Sequence, residues 1–551
     1  MLGKAAFYGI LNSEFKTFSK NANPVRFLLP KDPMNHLLTV AEAVATHARL
    51  TPHKIAVRDS KRSLTFAEWH QRSNQLANGL LGLGLQKGDR VALLAYNCAD
   101  WMEIYCALAA AGLVAVPINF RLTAPEIGYI ATHCEAKAFI AQDDLRERVE
   151  ELRATLAIEG GAYVHFGGTT PPGWTGYEDL IAHASNSTPS VQVAPKDCCA
   201  LMYTSGTTGR PKGAIRSHEG NTLIALATAV EMGFNKADIG LLVMPMCHAN
   251  SLYFSHTFVH LGATCVIDDR KSFDAEALLR TLASEHVTFT SLVPTHYIMM
   301  LGLPEATKAR YDVSAVDKLM ISSAPARKDT KLAILEFFPN GKLHELYGST
   351  ELGWATLLRP EEQIAQLGSV GREWAGSGPI KLLDEHGQEV PDGEVGELYA
   401  RTPYVFDGYW RSPEKTAEAM QGAWCSVGDM ARRDENGYIH LVDRKSNMII
   451  SGGENIYPSE VESVIGAHPH VKDVAVVGVP HEKWGEAVTA VVVLHSGTQL
   501  SEGDVLAWCR GRMASFKRPQ SVSFLADAQM PRNATGKLLH RVLRDRLAEQ
   551  S

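Results

Sequence analysis

The chain has 551 residues, with 54 basic against 61 acidic and a formal net charge of −7; 45% of residues are hydrophobic and 21% charged. That length implies three or four domains or subdomains, and the composition is that of a globular protein with a sizeable core. The acidic balance excludes a general attraction to nucleic acid or anionic lipid, so an anionic ligand must be held by local groups.

Nine scattered cysteines, with no C-x-x-C, read as buried thiols and fit a reducing cytoplasm. The first residues are apolar but broken by Gly3, Gly9 and Asn12, which makes a poor signal peptide. No stretch approaches 18 uninterrupted apolar residues, so no membrane span is expected. Ala-Glu-Gln-Ser at the end is neither a peroxisomal nor a prenylation address.

Residues 1–35 read as an irregular arm. From about 37 to 365 helix and strand patterns alternate: a helix at Gln71–Leu85, a strand at Arg90–Tyr96, a helix at Trp101–Ala111, a strand at Val114–Pro117. Further short apolar strands are expected at Gly240–Met244, Ala263–Asp268, Val287–Leu292 and Lys318–Ser322. Such alternation argues for parallel sheets covered by helices. Residues 368–442 carry turn signals (Asp384-Glu385-His386-Gly387, Pro391-Asp392-Gly393, Asn436-Gly437) and predict a small antiparallel β subdomain. After Arg444 the αβ pattern returns, with strands at Val474–Val479, Val488–Leu494 and near Val522–Leu525, a helix near Gly503–Met513 and a basic helix at Lys537–Leu547.

Five segments carry the chemistry. Tyr-Thr-Ser-Gly-Thr-Thr-Gly-Arg-Pro-Lys-Gly (203–213) follows the apolar run 200–203, which reads as a buried strand. Backbone N–H groups, hydroxyls and the Lys212 cation at a strand end suit a polyphosphate. It is not the Walker loop, because Lys212 precedes Gly213 rather than Ser or Thr, so magnesium must be held elsewhere. His-Glu-Leu-Tyr-Gly-Ser-Thr-Glu (344–351) offers Tyr347 as a flat face for adenine, Thr350 as a phosphate donor and Glu351 as a magnesium ligand, or else an ordinary turn with a capping Glu. Asp429 follows a Gly turn and can bridge ribose hydroxyls, though a β-turn has the same pattern. In 448–462 an apolar strand meets Gly452-Gly453, where a narrow pantetheine arm can pass or a hairpin can turn. Pro-Arg-Asn-Ala-Thr-Gly-Lys (531–537) puts Lys537 on a Gly-hinged loop as a long point charge, or as a plain surface lysine.

In this order the segments resemble the adenylate-forming superfamily of acyl-CoA synthetases, peptide-synthetase adenylation domains and luciferases, over roughly residues 38–550. The resemblance implies an α/β fold: a large N-terminal domain of two αβ subdomains plus a β subdomain (about 368–442), within 36–443, and a small mobile α+β C-terminal lid domain at 444–551. It implies that Thr204, Ser205, Gly206, Thr207, Thr208, Gly209 and Lys212 face the phosphates, and Ala324, Pro325 and Tyr347 the adenine. Thr350 is assigned to the α-phosphate, Glu351 to Mg2+, Asp429 and Arg444 to ribose, Gly452 and Gly453 to the thiol tunnel, and Lys537 to adenylation. The family usually pivots on Asp or Lys two residues after the ribose Arg; here Ser446 holds that place and is expected to be the hinge.

The implied activity is ATP-dependent conversion of a carboxylic acid to acyl-AMP, then transfer to coenzyme A. His248 matches an acyl-pocket wall position and is grouped with Lys537, Glu351 and Thr350 as catalytic. Asn250, Tyr253, Phe254, Pro294, Ser323 and Trp354 complete the expected pocket, whose aromatic content suits an aryl, alicyclic or medium-chain acid, although each aromatic also reads as plain core. Amino-acid-activating relatives place an Asp nearby, but no acidic residue lies between Leu241 and Gly262. His256 and His260, one helical turn apart, lack a third ligand at zinc spacing. Two other readings stand: an acyl-AMP ligase loading a carrier protein, and a nucleotide sensor without turnover. Glu351 and Lys537 together speak against the second. The expected partners are the acid, ATP and coenzyme A, with a homodimer left open.

Overall fold

The computed structural model describes residues 39–204, 211–322, 326–374, 376–451, 454–532 and 538–549. Among them, one seven-stranded sheet runs in the order Thr175–Gly176, Tyr163–Phe166, Ala136–Gln142, Arg90–Leu94, Val114–Ile118, Cys198–Thr204, Lys212–Ser217. Every pair is parallel except the last, which is antiparallel. The central strands are apolar at nearly every position because both faces are covered.

A second sheet of nine strands has a parallel centre: Thr264–Ile267, Ile239–Leu242, Phe289–Leu292, Lys318–Ser322 and Lys342–Ser349. Its edges are antiparallel, with Gly353–Leu358 and Arg372–Glu373 on one side and Ser63–Thr65 on the other. Arg372–Glu373 thus joins the large sheet, although the turn signals grouped it with the β subdomain. The antiparallel sheet expected beyond it comprises Lys381–Leu383, Val395–Tyr399, Asp429–Arg433 and Ile439–Arg444.

The last sheet pairs Val471–His481 with Gly485–Leu494, carries the short hairpin Ile449–Ser451/Glu454–Ile456, and adds Ser521–Phe524 in parallel. Its core of Ile456, Val461, Val476, Val488 and Val492 is separate from the cores of the larger sheets. The helices His218–Met232 and Ala249–Leu261 are the buried pair that positions the site. They pack together, and the second has buried side chains on every face. No described helix is long and apolar enough to cross a membrane, and all nine cysteines are free thiols.

Candidate functional site

Thr204 ends one edge strand and Lys212 starts its antiparallel partner, and the two sit opposite each other in register. Ser205, Gly206, Thr207, Thr208 and Gly209, which join them, lie outside the described residues, as do Ser323, Ala324, Pro325, Gly452, Gly453 and Lys537. Thr204 Oγ1 donates to Glu351 Oε1 at 3.0 Å, so the first two motifs meet although 147 residues separate them. Glu351 is buried. Tyr409 donates from its hydroxyl to the same Oε1 at 2.9 Å, and Lys212 Nζ stands 4.2 Å from the centre of the Tyr409 ring. Burial lowers the Lys212 pKa, against the opposing pull of the Glu351 charge. Tyr409 carried no chemical signal in the sequence; in hindsight, Gly408-Tyr409-Trp410 after a turn was the only pointer.

Beside this cluster, Asp429 and Arg444 face each other across an antiparallel pair, and Asp429 Oδ1 accepts from Arg444 Nε at 3.1 Å. Asp429 Oδ2 accepts from the Tyr347 hydroxyl at 2.7 Å. Tyr347 is 8% exposed and packs with Leu352, Val370 and Phe406. Its pKa is raised well above the ordinary value, by burial first and then by the Asp429 charge. The carbonyl of Thr350 accepts from Arg216 Nη1 and the Tyr253 hydroxyl, each at 3.4 Å, which fixes the turn between Tyr347 and Glu351 from behind.

Gly348 explains itself sterically. A Cβ there would lie 2.2 Å from the Gly353 carbonyl oxygen, at the irregularity between Tyr347 and Gly348. Gly348→Ala is therefore expected to lower unfolding stability by roughly 3 kcal/mol. Urea denaturation is the check, and an unchanged midpoint would refute the steric account.

The acyl-pocket residues divide. His248 caps the helix Ala249–Leu261, its Nε2 is 3.3 Å from Asn119 Nδ2, and burial pushes its pKa down to about 4. A neutral His248 can orient or accept, but it carries no charge near neutrality. Asn250 Nδ2 donates to Ser291 Oγ and Ser322 Oγ at 2.9 Å each, leaving Oδ1 without a hydrogen bond among the described residues. Pro294 opens the helix Pro294–Leu301.

Tyr253, Phe254 and Trp354, read as pocket lining or plain core, are buried. Phe254 packs 4.6 Å from Phe289 and 5.8 Å from Trp354, and Trp354 donates to Thr228 Oγ1. Phe254 is thus packed as a core residue. His256 and His260 belong to no metal-binding group of three or more His, Cys, Asp or Glu among the described residues.

Ser446 lies in the turn Lys445–Asn447 that leaves the four-stranded sheet. That turn is clasped on both sides. Asp443 Oδ1 accepts from Asn447 Nδ2 at 3.1 Å, Asp443 Oδ2 accepts from Ser459 N at 2.9 Å, and Lys445 Nζ donates to Glu397 Oε2 at 2.8 Å. The sequence put Asp443 at a composition change and Ser459 at the start of a helix, but linked neither to the turn that they hold.

Thr204 joined to the buried Glu351, and Tyr347 and Arg444 joined to Asp429, lie within a chain whose family is known. The AMP-binding enzyme family matches residues 44–410, and the AMP-binding enzyme C-terminal domain matches residues 460–537. The chain belongs to the AMP-binding enzyme family. It is 36% identical to a feruloyl-CoA synthase of an Amycolatopsis species over 91% of this chain and 97% of that one. It is 34% identical to an indoleacetate–CoA ligase of Aromatoleum aromaticum over 91% and 96% respectively. The structure of the O-succinylbenzoate coenzyme A synthetase of Bacillus subtilis with ATP and magnesium ion superposes with a TM-score of 0.79 at 27% identity, over 91% of this chain and 99% of that one. The protein is an AMP-forming acid:CoA ligase with the mixed α/β architecture of that family.

Proposed function

We propose that this ligase activates an aryl-substituted carboxylic acid, and that the cluster around Glu351 and the corner at Asp429 are its nucleotide site. One observation carries the reading: Thr204, Lys212, Glu351 and Tyr409 from three separate segments converge within hydrogen-bond or ring-contact distance. Two hydroxyls donate to Glu351 Oε1, while Oε2 accepts no hydrogen bond among the described residues. A hard, half-satisfied carboxylate oxygen beside a phosphate loop fits magnesium, with Glu351 as the ligand. When bound, that ion would neutralise charge on the phosphoryl oxygens.

The residues divide the remaining work. Arg444 and Asp429 hold the ribose, with Tyr347 locked against Asp429, and Lys212 and the Thr204–Gly209 loop hold the phosphates. An oxygen of the acid attacks the α-phosphorus; the bond to the bridging oxygen breaks and pyrophosphate leaves. Lys537 offsets the negative charge that builds on the α-phosphoryl oxygens. The coenzyme A sulfur, as thiolate, then attacks the acyl carbon, and AMP leaves with the bonding electron pair. Ser446 serves as the pivot between the two steps.

The acid is narrowed by the pocket's polar edge. His248 is held neutral, and Asn250 Oδ1 accepts no hydrogen bond among the described residues. The activities named for the two relatives, on feruloyl and indoleacetate groups, support an aryl acid. A pyrophosphate-release panel of aryl, alicyclic, medium-chain and amino acids tests this, with coenzyme A and a carrier domain as alternative thiols. Aryl acids with coenzyme A are expected to turn over fastest, and amino acids at background. A panel led by amino acids, or a thiol transfer confined to the carrier, would overturn the reading.

A further inference from the structure

The geometry points to Tyr409 as a positioning residue for the metal-binding carboxylate, acting through Glu351. This rests on the assignment of Glu351 to magnesium. Tyr409 belongs to the run Phe406–Trp410, which is stitched to both motifs by backbone. Phe406 N donates to the carbonyl oxygen of Glu351 itself at 2.7 Å. Asp407 N donates to Ile215 O, Ile215 N to Gly408 O and Trp410 N to Gly213 O, at 3.0, 2.9 and 2.8 Å. The run therefore extends the edge of the strand that begins with Lys212.

The side chain is placed with equal definition. Tyr409 N donates to Thr416 Oγ1 at 2.9 Å, Gly408 at φ +116° sets the approach, and the ring is buried against Phe406. From that fixed position one face of the ring meets Lys212 Nζ and the hydroxyl meets Glu351 Oε1. One rigid aromatic residue thus sets the separation of the phosphate-facing cation and the carboxylate. A donor on one carboxylate oxygen turns the other toward its ligand, as outer hydrogen bonds do at metal sites.

Calorimetric titration of the full chain with ATP at stepped MgCl2 concentrations tests this. Tyr409→Phe keeps the ring and loses the hydroxyl. It should raise the Mg2+ concentration for half-maximal ATP binding roughly tenfold or more, while ATP binding in EDTA and the melting temperature stay those of the parent. In a Glu351→Gln background, the same substitution should change the Mg2+ requirement no further. Tyr409→Met removes the ring too and should weaken ATP binding in EDTA by roughly two- to fivefold.

A Tyr409→Phe protein with the parent's Mg2+ requirement overturns the inference alone. Unfolding of both variants also overturns it, by making Tyr409 a structural residue. A parent whose ATP binding ignores Mg2+ removes the Glu351 assignment and this inference with it.

Discussion

Lys537→Ala should slow acyl-adenylate formation by roughly a hundredfold or more, yet leave thioester formation from presynthesised acyl-AMP and coenzyme A near the parent rate. The first step brings two anions together, since the carboxylate must approach a phosphorus ringed by negative oxygens. Lys212 stands over the Tyr409 ring, and its charged form is already disfavoured by burial. Arg444 is paired with Asp429. In the proposed nucleotide site both cations already have partners, and Lys537 is the further ammonium proposed for the α-phosphoryl group. The second step needs none, because the acyl carbon of a mixed anhydride is already activated. Separate assays of pyrophosphate exchange and of acyl-AMP consumption make the comparison. Equal losses in both would remove Lys537 from the first step and assign it to folding or to binding in general.

Much of the architecture was legible because burial on both faces writes itself into composition. Lys318–Ser322 was predicted and found with the same limits, and Trp101–Ala111 differs by one residue. The helix expected at Gln71 instead starts at Phe66, because the Thr65–Glu68 capping box rather than the apolar spacing sets its first turn. The strand Arg372–Glu373 was misassigned because pairing with Gly353–Leu358 is a tertiary choice that turn residues do not encode.

The site was legible as motifs in order but not as contacts. Nothing in the spacing links Thr204 to Glu351, and Tyr409 lay in a stretch read only for its turns. Phe254 read either as pocket lining or as plain core because Ala249–Leu261 is buried all round, and on such a helix periodicity cannot separate the two.

The same buried helices should make the fold acid-labile, through His218 and His256. Both line a cavity of about 20 Å3 with Tyr105, Cys199 and Asn221, room for about one water molecule. His256 is 6% exposed and neither ring nitrogen has a partner among the described residues; His218 is 4% exposed and its Nε2 has none among them. Burial dominates both shifts and lowers the pKa from 6.5 to about 4 for His218 and about 3 for His256. For His218 the Asp197 charge opposes burial and Lys87 assists it; His256 is lowered further by His260 and His218.

The sign follows from proton uptake. Below 6.5 the unfolded chain takes up protons at both imidazoles while the folded chain does not, so stability is intact above that pH and falls as pH drops toward 4. Between pH 6.5 and about 4.5 the two groups together should cost roughly 5 kcal/mol, a large share of a typical folding free energy. Carboxylates also respond in that range, so the decisive quantity is a difference. Unfolding free energies of the parent and His256→Gln should differ by a constant above pH 6.5 and shift by roughly 2 to 3 kcal/mol in the variant's favour by pH 4.5. A difference that stays flat across the range would mean that His256 takes up its proton as readily in the folded chain as in the unfolded one.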